Sequence, residues 1–327
     1  MDFIANLPPH FFRIPVALTL VLTLVFVNAL IMVYLERKIA GHMQYRLGPM
    51  EVGWHGLLQT AIDAVKLMSK QLIIPEASNR KLFRIAPLLA FTPSVLPFAV
   101  MPFAPKLQAI DLNIGIIFIL AMASLNVMAI FVAGWSSNNK YSLLGAMRSV
   151  SQNIAYEIPV LLSLVSVVFV VNSFSLGDIV NYQGKIWFAV LQPLAFIIYF
   201  VSSVAETNRA PFDLPEAESE LTAGFHTEYS GMGFALFFLG EYTEMFVVSS
   251  IATAVFLGGW HGFYLPFGEY SFVVWFLVKT YILMFLMIWF RWTFPRVRFD
   301  QLLNFSWKYL IPFSLVNLLI TVVVVKI

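Results

Sequence analysis

Eight long apolar stretches constrain the fold of this sequence more than any other feature. A bilayer core of about 30 Å is crossed by roughly 20 apolar residues in a helix, and each stretch approaches that length. The sequence therefore predicts an all-α, polytopic integral membrane protein with about eight transmembrane helices. We place these spans at approximately 14–35, 85–102, 114–135, 154–171, 186–205, 232–257, 272–290 and 309–325.

The composition excludes several classes of protein. Of 327 residues, 60% are apolar and 12% charged, against roughly 45–50% and about 25% in soluble domains, so a single soluble globule is excluded. A net charge of +2 argues against a nucleic-acid binder. The absence of cysteine excludes disulfides, Cys-ligated iron–sulfur clusters and c-type haem. The five histidines are scattered, so the sequence predicts no metal site.

The basic residues predict the orientation of the chain. If the N-terminus lies outside, the outer segments hold only Arg13, Lys106, Lys185 and Lys326, and the inner segments hold nearly all other Lys and Arg residues. Positively charged loops resist translocation, so we expect both termini outside. The first span has no small-residue cleavage site and is expected to be retained. We interpret residues 1–327 as one integral membrane domain, with inner loops at approximately 36–84, 136–153, 206–231 and 291–308.

Two segments are expected to differ from a simple spanning helix. Residues 54–72 place apolar side chains at helical spacing opposite polar ones, which predicts an amphipathic helix along the membrane interface. The alternative is a helix packed on the rest of the protein with a solvated polar face. In the second span, Pro87, Pro93, Pro97 and Pro102 predict a bent or broken helix, because interior prolines remove backbone hydrogen bonds.

Charged residues inside the predicted spans are the strongest chemical signal. An ionised side chain at the centre of a span costs about 2.5 to 3.5 kcal/mol on insertion scales, so each needs a partner or a purpose. Glu241 and Glu244 share one helix face, where two carboxylates repel and one can accept and pass a proton. A proton path is one interpretation, and a neutralised structural pair or Glu–Lys bridges are the other. The residues concerned are Glu157, Glu206, Glu241, Glu244 and Lys279.

An acidic loop follows the fifth span. Asp213, with Glu216 three residues later and Pro215 between them, resembles the capped start of a helix. The loop sets five carboxylates against a single arginine, which requires proton uptake, a cation or basic neighbours. The alternative is a solvated, well-capped loop helix. The five carboxylates are those of Glu206, Asp213, Glu216, Glu218 and Glu220.

Long motifs in the inner loops identify a family. Residues 206–229, ETNRAPFDLPEAESELTAGFHTEY, resemble the signature loop of one membrane subunit of respiratory complex I, called the H subunit in bacteria and subunit 1 in mitochondria. YLERK at 34–38, QYRLGP at 44–49 and GWSSNNKYSLLGAMRS at 134–149 match the same family. The resemblance covers essentially the whole chain. Thr222 and His226 stand where we expect Val and Asn in the family.

The resemblance implies a membrane subunit of a proton-pumping NADH:quinone oxidoreductase. Such a subunit anchors the redox arm, encloses the quinone chamber with neighbouring subunits, and couples quinone reduction to proton translocation. Quinone is the implied substrate; this chain binds no cofactor, and flavin and iron–sulfur clusters belong to partner subunits. The implied partners are the redox-arm subunits at the quinone site, adjacent small membrane subunits and membrane lipid. The implied location is the bacterial plasma membrane or the mitochondrial inner membrane.

The resemblance also assigns residues, while no catalytic redox centre is expected in this chain. It implies a quinone cavity that includes Glu36, Arg37, Arg46, Asp63, Lys66 and Phe212. It implies an acidic path from Asp213, Glu216, Glu218 and Glu220 through Glu206, Glu157 and Glu241. The position of Glu244 and Lys279 inside predicted spans adds these two residues to the path. From the residues alone, arginines such as Arg37 and Arg46 could equally anchor the first span or meet lipid phosphate.

Three other functions stay open. The membrane anchor of an energy-converting hydrogenase or formate hydrogenlyase-type complex shares the overall plan but uses no quinone. A free-standing secondary ion transporter would also need intramembrane acids and a kinked helix. A purely structural anchor leaves the buried acids unexplained.

Overall fold

The computed structural model describes residues 13–105, 107–215, 218–263 and 268–326. Regular structure in this part of the chain is helical, apart from one isolated bridge between Ala104 and Leu107. The predicted all-helical class is confirmed. The helices are α1 (Arg13–Met43), α2 (Gln59–Ser69), α3 (Arg80–Val95), α4 (Gly115–Ser136), α5 (Lys140–Val171), α6 (Leu176–Tyr182), α7 (Phe188–Leu191), α8 (Pro193–Glu206), α9 (Glu218–Leu221), α10 (Gly231–Phe256), α11 (Tyr270–Thr293), α12 (Phe299–Phe305) and α13 (Ile311–Lys326).

Seven helical segments among the described residues are long and apolar enough to cross a membrane. They are Pro15–Met43, Arg80–Ala99, Gly115–Ser136, Lys140–Val171, Gly231–Phe256, Tyr270–Thr293 and Phe299–Val325. The remaining predicted span, 186–205, is divided into α7 and the 14-residue helix α8. Gln192 lies between them with φ −130° and ψ 62°. The break has a simple cause, because Pro193 disfavours the helical conformation in the residue before it.

Several helices extend beyond the predicted spans. α1 continues to Met43, and α5 begins at Lys140, well before the predicted start at 154. The Asn139 side chain accepts a hydrogen bond from the Tyr141 N–H at 2.8 Å and caps the start of α5. Apolar length predicts only the part of a helix that lipid covers, so it gives no sign of helix that continues into polar residues.

The prolines of the second predicted span lie in and just beyond α3. The helix runs through Pro87 and Pro93 without ending, and it tightens into a 3₁₀ helix only at Leu96–Ala99, which contains Pro97. The expected break is therefore absent at Pro87 and Pro93, and the helix changes type at Pro97.

The amphipathic segment forms a 3₁₀ turn, Trp54–Gly56, followed by α2. Its apolar side chains are exposed, with Leu58 at 57% and Val65 at 65%. The polar side chain of Asp63 instead bonds to Arg37 of α1. The alternative interpretation requires α2 to pack its apolar face on the rest of the chain. The exposure of its apolar residues shows that it does not.

α10 is the most enclosed of these seven segments, with 61% of its most apolar stretch buried, against 17% in the last one. It packs against α1, α3 and α11, while α5 packs against α4, α8 and α13. α8 contacts both central helices, so the connection that follows it enters the bundle between α5 and α10. We call the end of the bundle where α1 and α8 terminate the basic end, because the long Lys- and Arg-rich connections lie there.

The segment that leads into the last helix bonds to α5 where α5 lacks one backbone hydrogen bond. Pro159 lies inside α5 and has no N–H, so the carbonyl of Ala155 loses its helical partner. The hydroxyl of Ser306, which is fully buried, donates to this carbonyl at 2.6 Å. Ser306 begins a π-helical turn, Ser306–Leu310, that joins α12 to α13. Next to it, the Tyr156 hydroxyl donates to the carbonyl of Leu302 at 3.0 Å.

Candidate functional site: a buried arginine–glutamate cluster

The connection after α8 is held inside the bundle by a buried amide of α5. The Gln152 side chain donates to the carbonyl of Ala205 at 2.8 Å and to that of Phe212 at 2.9 Å. These two bonds fix the segment between them against α5. Arg209, in the middle of this segment, consequently points into the bundle, and its side chain is only 6% exposed.

Arg209 is the centre of an ion-pair cluster that joins four parts of the chain. Its Nη1 lies 3.1 Å from Oε2 of Glu36, and its guanidinium lies 4.3 Å from the ring centre of Tyr242. The Tyr242 hydroxyl donates to the same Glu36 oxygen at 2.6 Å. Arg291 of α11 donates to the other oxygen of Glu36. Nη2 of Arg209 lies 3.9 Å from Oε2 of Glu241, near enough for an ion pair but too far for a hydrogen bond.

We call Glu36, Arg209, Glu241, Tyr242 and Arg291 the arginine–glutamate cluster. Burial acts to lower the pKa of the Arg209 guanidinium, but Tyr242, Glu36 and Glu241 together outweigh burial and hold that pKa above its usual value. Arg209 is therefore a permanent positive charge. Removing one member of such a buried pair leaves the other uncompensated, so the cluster is sensitive to any change in its charge.

A polar cavity of about 180 Å³ adjoins the cluster at the basic end. Arg209, Arg291 and Glu241 line it together with Asp213 and His226. Phenylalanines of α10 close it on the apolar side, namely Phe234, Phe237 and Phe238. A space of this size with polar walls is large enough for several water molecules.

Three further carboxylates lie deeper in the bundle. Glu157 of α5 accepts a hydrogen bond from Ser124, and Glu244 of α10 accepts one from Asn126, both donors being on α4. Glu206, at the end of α8, is near enough to Glu157 and Glu244 for electrostatic interaction. Glu206 and Glu244 both line a small cavity of about 50 Å³. We call Glu157, Glu206 and Glu244 the intramembrane acid group.

Glu241 and Glu244 share a helix face, as predicted, but have different partners. Glu241 faces Arg209 and the polar cavity, whereas Glu244 faces Asn126 of α4. The pair therefore connects the arginine–glutamate cluster to the intramembrane acid group along α10.

The acidic loop is arranged differently from the prediction. Asp213 lies 3.3 Å from Arg296, and burial raises the pKa of its carboxyl although Arg296 and Arg291 act in the opposite direction. The predicted helix start at Asp213 is wrong, because Leu214 and Pro215 are not helical and the Asp213 carboxyl pairs with Arg296 instead. Glu220 pairs with Arg148 at 2.5 Å on the surface. Glu216 and the side chain of Glu218 lie outside the described residues.

The residues implied for the quinone cavity fall into two groups. Arg37 and Asp63 form an ion pair of 2.6 Å between α1 and α2. Arg46 and Lys66 are exposed, and Phe212 packs against Tyr156 with a ring-centre distance of 5.9 Å. Glu36, in contrast, is enclosed in the arginine–glutamate cluster. The structure therefore links one implied quinone residue directly to the implied acidic path.

Lys279 lies away from the carboxylates, at the opposite end of α10. Its ammonium donates to the carbonyls of Leu257, Gly259 and His261 at 2.7, 3.1 and 2.5 Å. It also lies 4.5 Å from the ring centre of Trp187. These contacts hold the turn that follows α10, because three of its carbonyls accept hydrogen bonds from the one ammonium. The structure brings no carboxylate to Lys279 among these contacts.

Several partners of the acids cannot be found by sequence reasoning. Tyr242 stands next to Glu241, but a tyrosine in a span gives no signal by itself. Arg291 is a basic residue at a span end, which most often means an interfacial anchor. Ser124 and Asn126 are two residues apart in an apolar span. This polar pair is the feature of the sequence that could have indicated that α4 supplies hydrogen-bond donors to the acids.

Comparison with known proteins agrees with this architecture. The sequence matches the NADH dehydrogenase family over residues 16–322. A protein of Desulfotalea psychrophila, named as the H subunit of NADH-quinone oxidoreductase, is 50% identical over 323 residues, covering 95% of this chain and 96% of the relative. Proteins of the same name from Carboxydothermus hydrogenoformans and Dehalococcoides mccartyi are 49% and 51% identical, covering 92% and 94% of this chain and 86% and 85% of the relatives. This chain therefore belongs to the NADH dehydrogenase family, together with these H subunits of NADH-quinone oxidoreductase.

Proposed function

We propose that this chain is the membrane subunit that forms much of the quinone chamber and couples quinone reduction to proton translocation. The observation that carries the proposal is the arginine–glutamate cluster. It connects Glu36, on the helix that also carries Arg37, to Glu241, on the helix that also carries Glu244. A charge change at the basic end is therefore transmitted through adjacent side chains into the intramembrane acid group.

The basic end supplies the polar wall of the quinone chamber. Asp63 accepts hydrogen bonds from Arg37 at 2.6 Å and from Gln59 at 3.0 Å, which fixes its carboxylate between α1 and α2. The exposed apolar side chains of α2 suit contact with lipid or with a quinone tail. Lys66 and Arg46 stay exposed and are available to partner subunits or to the quinone head.

Coupling follows from charge balance. Reduction of a quinone to a quinol takes up two electrons and two protons, and the electrons arrive from redox groups in partner subunits. When nearby carboxylates give up protons to the quinone, the field at Arg209 and Glu241 changes. Proton redistribution along Glu241, Glu244, Glu206 and Glu157 then passes the free energy toward adjacent membrane subunits.

The positions of the charges predict how the chain is oriented in its membrane. The basic end faces the cytoplasmic side by the positive-inside rule, with both termini on the other side. The relatives named above are bacterial, which favours the bacterial plasma membrane. The chain itself carries no redox centre in this proposal, and flavin and iron–sulfur clusters belong to the redox arm.

Two substitutions in the intact complex separate the two roles. We expect D63N to lower the rate of quinone reduction severalfold, because Arg37 loses its partner and the chamber wall loses a charge. We expect E241Q to assemble and reduce quinone while losing proton translocation, measured in reconstituted vesicles. D178N, which changes an exposed carboxylate of α6 bonded to Ser173 at 2.7 Å, serves as the control. Unchanged turnover in D63N contradicts the chamber, and full pumping in E241Q contradicts the coupling path.

A further inference from the structure

His226 is a titratable side chain in the polar cavity that the assignments above do not use. It ends the 3₁₀ helix Gly224–His226, and its ring lies edge-on to Phe225 and Phe234 at 4.9 and 5.4 Å between centres. Histidine changes charge between pH 5 and 8 more readily than any other side chain. A histidine here is therefore placed to exchange protons at the entrance to the acidic path.

Close backbone packing holds this histidine in place. A Cβ on Gly145 of α5 would lie 2.7 Å from the Cα of Gly224, so the 3₁₀ helix sits directly against α5. The Ser142 hydroxyl of α5 donates to the carbonyl of Phe225 at 2.9 Å. The ring of His226 is therefore directed by a backbone that is fixed against α5.

The charged groups around the cavity come from three elements. Arg209 and Asp213 belong to the connection after α8, Glu241 to α10, and Arg291 to α11. The side of α5 that meets the 3₁₀ helix includes the small residues Ser142 and Gly145. Tyr229, just beyond the 3₁₀ helix, is held neutral because burial raises its pKa to about 12. Asp213 and Glu241 are thus the acidic groups that share the cavity with His226.

We propose that His226 carries protons between Asp213 and Glu241. The neutral imidazole takes a proton from the Asp213 carboxyl or from cavity water and becomes an imidazolium. The imidazolium then releases a proton to the Glu241 carboxylate and returns to its neutral form, so no net proton stays on His226. This inference rests on the proposed function, because it adds a carrier to the same path.

The electrostatics of the cavity suit both steps. Burial lowers the pKa of the His226 imidazole, so the ring is mainly neutral at pH 7 and its imidazolium form readily releases a proton. The carboxylate of Glu241 acts in the opposite direction, so an ionised Glu241 favours protonation of the ring. Burial raises the pKa of Asp213, which favours the form that can donate.

The test is proton translocation by the intact complex in vesicles, measured from pH 6 to 9 beside quinone reduction. We expect H226N to lower the translocation rate by about tenfold, less than the ~10²- to 10⁴-fold typical of a lost acid–base group, because Asp213 and cavity water remain. We expect the pH dependence between pH 6 and 8 to flatten. H226D should restore part of the rate with a profile displaced to lower pH, which a purely structural role of His226 would not produce.

Two controls make the result specific. H261N removes the other half-buried histidine among the described residues, which bonds to the carbonyl of Val180 at 3.1 Å at the opposite end, and should leave rate and profile unchanged. If H226N does not assemble, H226Q and H226D give the same readout. Wild-type translocation at every pH in an assembled H226N or H226Q complex overturns the inference. If E241Q still loses translocation in that case, the proposed function stands and only the role of His226 fails.

Discussion

Arg209 is the residue on which the site depends most. Its guanidinium interacts with Glu36, Glu241 and the ring of Tyr242 at once, with 6% of the side chain exposed. We expect R209M to destabilise the assembled complex by about 3–5 kcal/mol, because Glu36 and Glu241 each lose an ion pair in a buried setting. R209K should be intermediate, since lysine keeps the charge but lacks the planar fork that reaches two partners.

The measurement is thermal unfolding of the purified complex, with its yield from the membrane. R148Q is the matched control, because Arg148 and Glu220 form an exposed pair at 31% and 54% exposure, and such a pair is worth about 0–1 kcal/mol. A complex with R209M as stable as one with R148Q would contradict the central position of Arg209.

Sequence reasoning at this scale finds the acids but not their partners. Glu241, Glu244 and Glu157 stand out because a charge in an apolar span is costly. The hydroxyl and amide groups that bond to them cost little to bury once bonded, so they leave no comparable signal in the sequence. Glu36 does not stand out as a buried acid, because Arg37 and Lys38 follow it and resemble a span boundary.

Among the elements, the contact between α5 and the last helix makes the sharpest prediction. We expect S306A to destabilise the complex by about 1–3 kcal/mol, because the Ala155 carbonyl is left buried without a donor. P159A restores the backbone N–H that this carbonyl lacks. The double substitution should therefore be about as stable as P159A alone, which unfolding temperatures of the three variants would test. If S306A costs as much stability in the P159A background as in the wild-type protein, the hydroxyl does not replace the hydrogen bond that Pro159 removes.

Elements are predicted well where apolar length governs them. The bounds of α10 and α11 differ from the predicted spans by one to three residues. Apolar length does not reveal the division of 186–205, because apolarity continues across Gln192 and Pro193, although a residue before proline often ends a helix. The prediction of a helix that starts at Asp213 is wrong, since local capping preference yields to a tertiary ion pair with Arg296.

For the whole molecule, purification from the native membrane is the decisive measurement. We expect the tagged chain, extracted in mild detergent, to bring with it flavin, iron–sulfur signals in electron paramagnetic resonance and NADH:quinone activity. The reason is that its basic end presents a large charged surface suited to a permanent partner. Nickel with hydrogenase activity and no quinone reduction would instead favour a hydrogenase anchor, and a solitary chain would favour a transporter.

The bond between Ser306 and the Ala155 carbonyl has a consequence for biosynthesis. The two residues are 151 positions apart, so α5 leaves the ribosome and enters the bilayer long before its partner has been translated. Until then the carbonyl freed by Pro159 has no donor in the lipid phase, where an unsatisfied backbone group costs several kcal/mol. We therefore expect insertion of the last helix to stabilise α5, and a nascent chain interrupted before residue 299 to be degraded in the membrane more readily than the full chain.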